Sequence, residues 1–120
     1  MVEFRNEVSH QWTRRHTLRK FRAGMLSRDS LCDADFVLVT ASKFHGSLVP
    51  TPCPVCDSDQ LRHVLWVYGE SLGRASGSAR TMEEIVTFAQ SGKEFTVHTV
   101  EVCPDCRWNH LLNSVTAMPQ

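Results

Sequence analysis

The chain carries two short cysteine motifs, Cys53-Pro-Val-Cys56 and Cys103-Pro-Asp-Cys106, in its carboxyl-terminal half. Two residues between cysteines allow a tight turn that directs both sulfurs to one point, and proline bends that turn in advance. Two such turns supply the four sulfurs of a tetrahedral zinc site, at about 2.3 Å from the ion. The sequence therefore predicts one zinc ion bound by Cys53, Cys56, Cys103 and Cys106.

The chemistry of four thiolates favours a structural metal. They leave no coordination position for water or substrate, as a catalytic zinc requires. The 46 residues between the motifs, 57–102, exceed the roughly 15 to 20 of a compact four-cysteine site, so the zinc ribbon must accommodate an insertion. Iron also accepts four thiolates and is the alternative metal. A thioredoxin-like pair fits less well, because it needs only one such motif, leading into a helix.

The first 49 residues are predicted to form a helical arm. Residues 8–26 contain good helix formers and no proline, with Ser9 available as a cap. Residues 31–44 are predicted to form one helix or two short ones that end before Gly46. Alternating prolines at 50–54 then predict an extended connection into the first cysteine motif.

The carboxyl-terminal half reads mainly as strands. We predict strands at 61–68, 95–102 and 109–116, because these segments are rich in β-branched and aromatic residues. Thr81 and Glu84 have the spacing of a capping box, which predicts a short helix at 81–91. The expected fold is α+β, with a helical segment at 1–49 and, at 50–120, a three-stranded antiparallel zinc ribbon containing an inserted short helix.

The net charge of zero hides a basic amino terminus. Residues 1–28 carry seven Arg or Lys and two Glu, whereas residues 29–120 carry six basic and eleven acidic side chains. A basic arm on an acidic body predicts an anionic partner or contact with the protein's own body. The residues predicted to bind nucleic acid or a partner combine guanidinium, ammonium and aromatic groups: Arg14, Arg15, Arg19, Lys20, Arg22 and Trp108.

Other chemistry-bearing residues have less specific patterns. Cys32 lies beside Asp33 and Asp35 and has no cationic neighbour that would favour a thiolate, so we interpret it as a small buried apolar residue. His63 and His98 alternate with apolar residues and are predicted to be packed or surface imidazoles. His110 is close enough in sequence to Cys106 to donate a hydrogen bond to a metal-bound sulfur.

The sequence predicts a cytoplasmic protein without a membrane span. Residues 1–12 lack the apolar stretch of a secretory signal, and no run of about 18 apolar residues occurs. It contains no nucleophile elbow, zinc-protease motif or dinucleotide fingerprint. We therefore predict no catalytic residues, although enzymatic or thiol-redox activity stays open as a third hypothesis.

Several segments together resemble a family of small actinobacterial proteins of unknown function. They are Cys32-Asp-Ala34, Phe44-His-Gly46, Pro52-Cys-Pro-Val-Cys56, Tyr68-Gly69 and 102–111, which reads Val-Cys-Pro-Asp-Cys-Arg-Trp-Asn-His-Leu. The resemblance covers most of residues 10–116. It implies an intracellular zinc-ribbon-like protein and no particular activity.

We expect a binding function. The leading hypothesis is an accessory or regulatory factor that docks on RNA polymerase, the ribosome or nucleic acid itself. The alternative is a protein–protein adaptor with a purely structural zinc, in which exposed aromatic residues anchor the partner. Its candidate anchors are Trp12, Phe21, Trp66 and Trp108.

Overall fold

A six-stranded antiparallel sheet organises the computed structural model, which describes residues 2–120. The strand order is β1-β6-β5-β3-β2, and the short β4 also pairs with β3. The strands are β1 (Val2–Ser9), β2 (Ser47–Leu48), β3 (Arg62–Tyr68), β4 (Ser78–Ala79), β5 (Phe95–Val102) and β6 (Asn109–Pro119).

Within residues 2–120, four α-helices connect the strands: α1 (Gln11–Arg22), α2 (Arg28–Leu31), α3 (Phe36–His45) and α4 (Met82–Gln90), with a 3-10 helix at Glu70–Ala75. Local chemistry explains where two of them begin. The Asp35 carboxylate accepts from the Leu38 amide at 2.8 Å and caps α3. Thr81 and Glu84 form the predicted capping box at the start of α4.

The two faces of the sheet bury different residues. Val64 of β3 lies opposite Val100 of β5, and Val67 lies opposite Val97. Because side chains alternate along a strand, these two pairs project from opposite faces. Helix α3 packs on the face of Val64, whereas α4 packs on the face of Val67.

Helix α1 lies on the same face as α4. Its Arg14 is paired with Glu101 of β5, and Glu101 shares the strand parity of Val97. Leu18 of α1 is buried against Cys103 and Trp108. One face is therefore covered by two helices, and the other by α3.

The predicted three-stranded ribbon with an N-terminal helical arm is wrong, because the sheet has six strands and the first of them lies at the amino terminus. Strand β1 pairs with β6, from Val2 opposite Pro119 to Ser9 opposite Asn113. A bulge between Arg5 and Val8, with Asn6 at φ 56°, interrupts its alternation. The edge position also lets β1 keep charged side chains, so its sequence resembles a solvated segment.

The predicted helices are shorter in the structure. The helix expected at 8–26 spans Gln11–Arg22. The helix expected at 31–44 corresponds to α3, Phe36–His45, which follows the single turn of α2 at Arg28–Leu31. The helices dock on the sheet instead of extending from it. The division into segments 1–49 and 50–120 stays a prediction, although the pairing of β1 with β6 crosses it. Among residues 2–120, no helix combines the length and apolar character that a membrane crossing requires.

Candidate metal centre

The sheet brings the two cysteine motifs to one of its ends. The first motif lies in the loop before β3, and the second lies in the loop after β5. These strands are antiparallel neighbours, and Arg62 at the start of β3 pairs with Val102 at the end of β5. The intervening residues run along the sheet and return, so the long insertion does not separate the sulfurs.

The four sulfurs of Cys53, Cys56, Cys103 and Cys106 all lie within 4.8 Å of one another. The Cys53 and Cys106 sulfurs are 3.7 Å apart, and the Cys56 and Cys103 sulfurs are 3.6 Å apart. A tetrahedron with metal–sulfur bonds of about 2.3 Å has edges of about 3.8 Å. The separations therefore fit a four-thiolate metal site, and these four cysteines could hold a metal ion.

The two motifs have the same backbone turn. The Asp57 amide donates to the Cys53 carbonyl at 3.0 Å, and the Arg107 amide donates to the Cys103 carbonyl at 2.8 Å. Both donors have left-handed backbone, with φ 65° for Asp57 and 73° for Arg107. The first cysteine of each motif also donates its own amide to the carbonyl five residues later, at 2.9 Å in both cases. This repeated turn directs two sulfurs from each loop to a common point.

Backbone amides donate to two of the sulfurs, and two sulfurs are buried. The Val55 amide donates to the Cys53 sulfur, and the Trp108 amide donates to the Cys106 sulfur, each at 3.4 Å. Cys53 and Cys103 are buried at 2% and 0% exposure, whereas Cys56 and Cys106 are partly exposed. Such N–H donors favour thiolate, so they suit a sulfur that binds a cation.

The cysteines of the cluster differ in how easily they ionise. For Cys56, hydrogen bonds from the Ser58 amide and from the neighbouring sulfurs outweigh burial and lower the pKa. Burial is the main cause that raises the pKa of Cys53 to about 11, and burial also raises the pKa of Cys106. Because metals bind thiolates, a metal ion must displace these protons when it enters.

A bridge outside the cluster joins the two loops. The Ser58 hydroxyl, in the loop of the first motif, donates to the Asp105 carboxylate, in the loop of the second. It holds the loops together beside the sulfurs.

A buried carboxylate links the centre to α1. Glu101 is only 4% exposed, and it accepts from the Trp108 indole N–H at 2.8 Å and from Arg14 Nε at 2.9 Å. Burial opposes its ionisation, but His63, whose Nε2 lies 3.9 Å from Glu101 Oε2, and the hydrogen bonds from Trp108 and Arg14 outweigh burial and lower the pKa of Glu101 to about 2. Glu101 was not among the residues predicted from the sequence; its one signal was a charged residue within the alternating apolar pattern of β5.

The second motif is also linked to the segment before α3. Arg107 Nε donates to the Ala34 carbonyl at 2.6 Å, and the Ala34 amide donates back to the Arg107 carbonyl at 3.0 Å. The Asn109 amide group donates to Asp33 at 2.8 Å. Residues beside the second motif thus contact α1 on one face of the sheet and the segment before α3 on the other.

The residues predicted to bind a partner occupy different environments. Arg14 is paired with Glu101, and Trp108 is 1% exposed. Arg15, Arg19 and Arg22 are exposed and line a cleft of about 300 Å³ on α1. Lys20 is partly exposed. A role of the six residues in partner binding stays a prediction.

Cys32 and the histidines lie outside the four-sulfur cluster. Cys32 packs against it beside Cys106 and is partly exposed. His98 Nδ1 is 2.6 Å from the Ser114 hydroxyl, and His110 Nδ1 is 2.7 Å from the Leu111 carbonyl. The expected donation from His110 to a metal-bound sulfur therefore gains no support from this geometry.

Comparison with known proteins gives a family but no activity. The description "Family of unknown function (DUF5318)" applies to a family that matches residues 1–118. An uncharacterized protein of Mycobacterium bovis and two of Mycobacterium tuberculosis are each 48% identical over 101 residues, which cover 84% of this chain and 74% of the relative. No solved structure matches the chain. The resemblance to an actinobacterial family is therefore confirmed, and the chain belongs to the DUF5318 family of unknown function.

Proposed function

We propose that this protein binds one structural zinc ion through Cys53, Cys56, Cys103 and Cys106. The observation that carries the proposal is the match between the sulfur separations of 3.6 and 3.7 Å and the edges of a zinc–thiolate tetrahedron. The ion is closed to substrate because all four ligands come from the protein. Zinc is favoured over iron since it needs no redox partner, and iron is the alternative outcome.

The zinc holds helices on the sheet. Just after the second motif, Trp108 contacts Glu101, which binds Arg14 of α1. Its neighbour Arg107 exchanges two hydrogen bonds with Ala34, just before α3. Fixing that motif therefore fixes the surfaces of both helices, which suits a binding protein.

Native mass spectrometry and elemental analysis of reduced protein test the proposal. One zinc per chain is expected in the wild type and in Cys32→Ser, whereas Cys56→Ser is expected to lose most of it. Cys32 is the matched control, because it is a partly exposed thiol beside the cluster that is not one of the four converging sulfurs. Two results would contradict the proposal. One is wild-type protein that contains no metal and keeps its fold in a strong chelator; the other is equal metal loss in both variants.

As a second candidate, we propose that α1 contacts the phosphates of nucleic acid, alone or within RNA polymerase or the ribosome. The supporting observation is that Arg15, Arg19 and Arg22 are exposed on one cleft. Within residues 2–120, no acidic side chain forms an ion pair with any of them. Unpaired guanidinium groups on one helix favour an anionic partner.

Salt dependence tests this candidate. Replacing Arg15, Arg19 and Arg22 together with Gln is expected to lower the slope of log affinity for RNA or DNA against log salt by about 3. The control replaces Arg5, Arg74 and Lys93 with Gln, which removes equal charge from other places and leaves the slope unchanged. No binding by wild type at low salt removes this candidate. That result would leave the protein–protein adaptor as the remaining hypothesis. In it, Trp12 of α1, which is 70% exposed, is an accessible aromatic anchor.

A further inference from the structure

Helix α3 presents an apolar side to solvent. Phe36 is 83% exposed, Val37 is 61% exposed and Phe44 is 78% exposed. Leu48 of β2, which follows the helix directly, is 58% exposed. Large apolar side chains grouped in this way on a small protein mark an interaction surface.

A cavity adjoins this side of the helix. It has a volume of about 530 Å³ and is lined by Phe36, Thr40 and Phe44 of α3 and by Trp66 and Ala79 of the sheet. The surface is therefore concave as well as apolar, and it has room for aromatic rings.

The two phenylalanines of α3 are placed symmetrically about Thr40. Phe36, Thr40 and Phe44 are four residues apart, so they form one stripe about 12 Å long with the smallest side chain at its centre. A two-fold axis at Thr40 would place a second α3 antiparallel to the first. Phe36 of one copy then meets Phe44 of the other, and the two Thr40 residues allow the helices to approach closely.

The charges at the two ends of α3 complement each other in the same arrangement. Asp35 precedes the helix, whereas Lys43 and His45 lie in its last turn. Antiparallel pairing about Thr40 brings Asp35 of one copy next to Lys43 and His45 of the other, and it aligns the helix dipoles favourably. Parallel pairing would bring like charges together.

We propose that two copies of this chain associate through antiparallel α3 helices, with the phenylalanines of each copy filling the cavity beside Trp66 of the other. The occupant is a second copy because the contact must be the same surface on both partners, and the stripe and its charges satisfy that condition. This inference does not depend on the metal centre or on nucleic-acid binding.

Sedimentation equilibrium of the full metal-loaded chain, at several loading concentrations, tests the proposal. Wild type is expected to be a dimer. Phe44→Ser and Thr40→Arg are each expected to raise the dimer dissociation constant at least about tenfold, because every substitution acts twice in a two-fold interface. The control Trp12→Ser removes another largely exposed aromatic residue, from α1, and should leave the dissociation constant unchanged.

Charge exchange tests the orientation of the helices. Lys43→Glu should weaken the dimer, because the new carboxylate faces Asp35 of the second copy. Asp35→Asn in that background should recover part of the loss, since Asn keeps the helix cap while it removes the charge. Wild type that stays monomeric at every concentration overturns the proposal. A dimer that neither Phe44→Ser nor Thr40→Arg weakens, when both variants are folded and retain the metal, also overturns it. The same holds if α3 of a monomeric protein binds a peptide or a lipid instead.

Discussion

The carboxylate of Glu101 accepts a hydrogen bond of 2.8 Å from the indole N–H of Trp108, and both residues are almost completely buried. Trp108 follows the second cysteine motif by two residues, and Glu101 precedes it by two. The hydrogen bond therefore closes the loop that carries Cys103 and Cys106. Since Arg14 binds the same carboxylate, the position of α1 depends on this loop.

Removing the charge of Glu101 is expected to destabilise the protein. Glu101→Gln replaces one acceptor oxygen with an amide N–H₂ group, which cannot accept from Arg14, and it leaves a partly buried guanidinium without its partner. We expect the free energy of unfolding to fall by about 2 kcal/mol. Urea unfolding of metal-loaded protein measures the change.

Glu3→Gln is the matched control, because Glu3 pairs with Arg5 at the surface of β1. Exposed ion pairs contribute little to stability, so its urea midpoint should equal that of the wild type. Equal stability of Glu101→Gln and wild type would show that the buried carboxylate does not hold α1.

Metal removal is expected to loosen one end of the sheet. Amide hydrogen exchange of chelator-treated protein should rise at residues 53–58, 103–108 and Gln11–Arg22, which share the cluster around the sulfurs. Exchange in α4 should change least, because Ile85 and Ala89 pack in a separate cluster without cysteines. Exchange that is unaltered by metal removal, or raised equally in α4, would refute this division.

The capping box of α4 should contribute measurably to stability. Thr81→Ala removes the hydroxyl that accepts from the Glu84 amide at 3.2 Å, so we expect a loss of about 1 kcal/mol. The comparison is Thr87→Ala on the exposed surface of the same helix, where alanine is the better helix former. Chemical denaturation of both variants provides the measurement, and equal midpoints would argue against the cap.

His98 is expected to make stability depend on pH. Burial first, and then the positive charge of His10, lower the pKa of His98 below its ordinary range. The unfolded chain therefore binds more protons than the folded chain near the ordinary value of about 6.5. Above that pH His98 is neutral in both states and does not reduce the stability of the fold. As the pH falls from that value towards the lowered pKa of the folded protein, the free energy of unfolding decreases.

Thermal unfolding between neutral and mildly acidic pH tests this prediction. His98→Gln should show a smaller loss of stability on acidification than the wild type, whereas His16→Gln, at an exposed position of α1, should match the wild type. An identical acid response of His98→Gln and wild type would rule out His98 as the source.

Local patterns predicted the elements whose signals are contained in a few neighbouring residues. The strand expected at 95–102 was found at Phe95–Val102, and the capping box placed α4 correctly. The repeated cysteine spacing predicted which four sulfurs converge. Each of these signals acts within a turn or a strand, so the sequence expresses it directly.

Long-range pairing explains what the sequence did not show. Strand β1 exists because it pairs with β6, more than 100 residues away. Its bulge at Asn6 and its charged side chains conceal the alternation that marks a strand. Glu101 likewise looked like an ordinary polar position, since its partners come from α1 and from the loop after β5.

The sequence by itself determined the four cysteines, the repeated turn that presents them and the membership of a family of unknown function. The tertiary structure decided that β3 and β5 are antiparallel neighbours, which brings the two loops together. It also decided that Arg14 faces Glu101 while Arg15, Arg19 and Arg22 face solvent. The physical reason is that residue type limits the chemistry a side chain can perform, whereas burial and distant contacts select which of those interactions form.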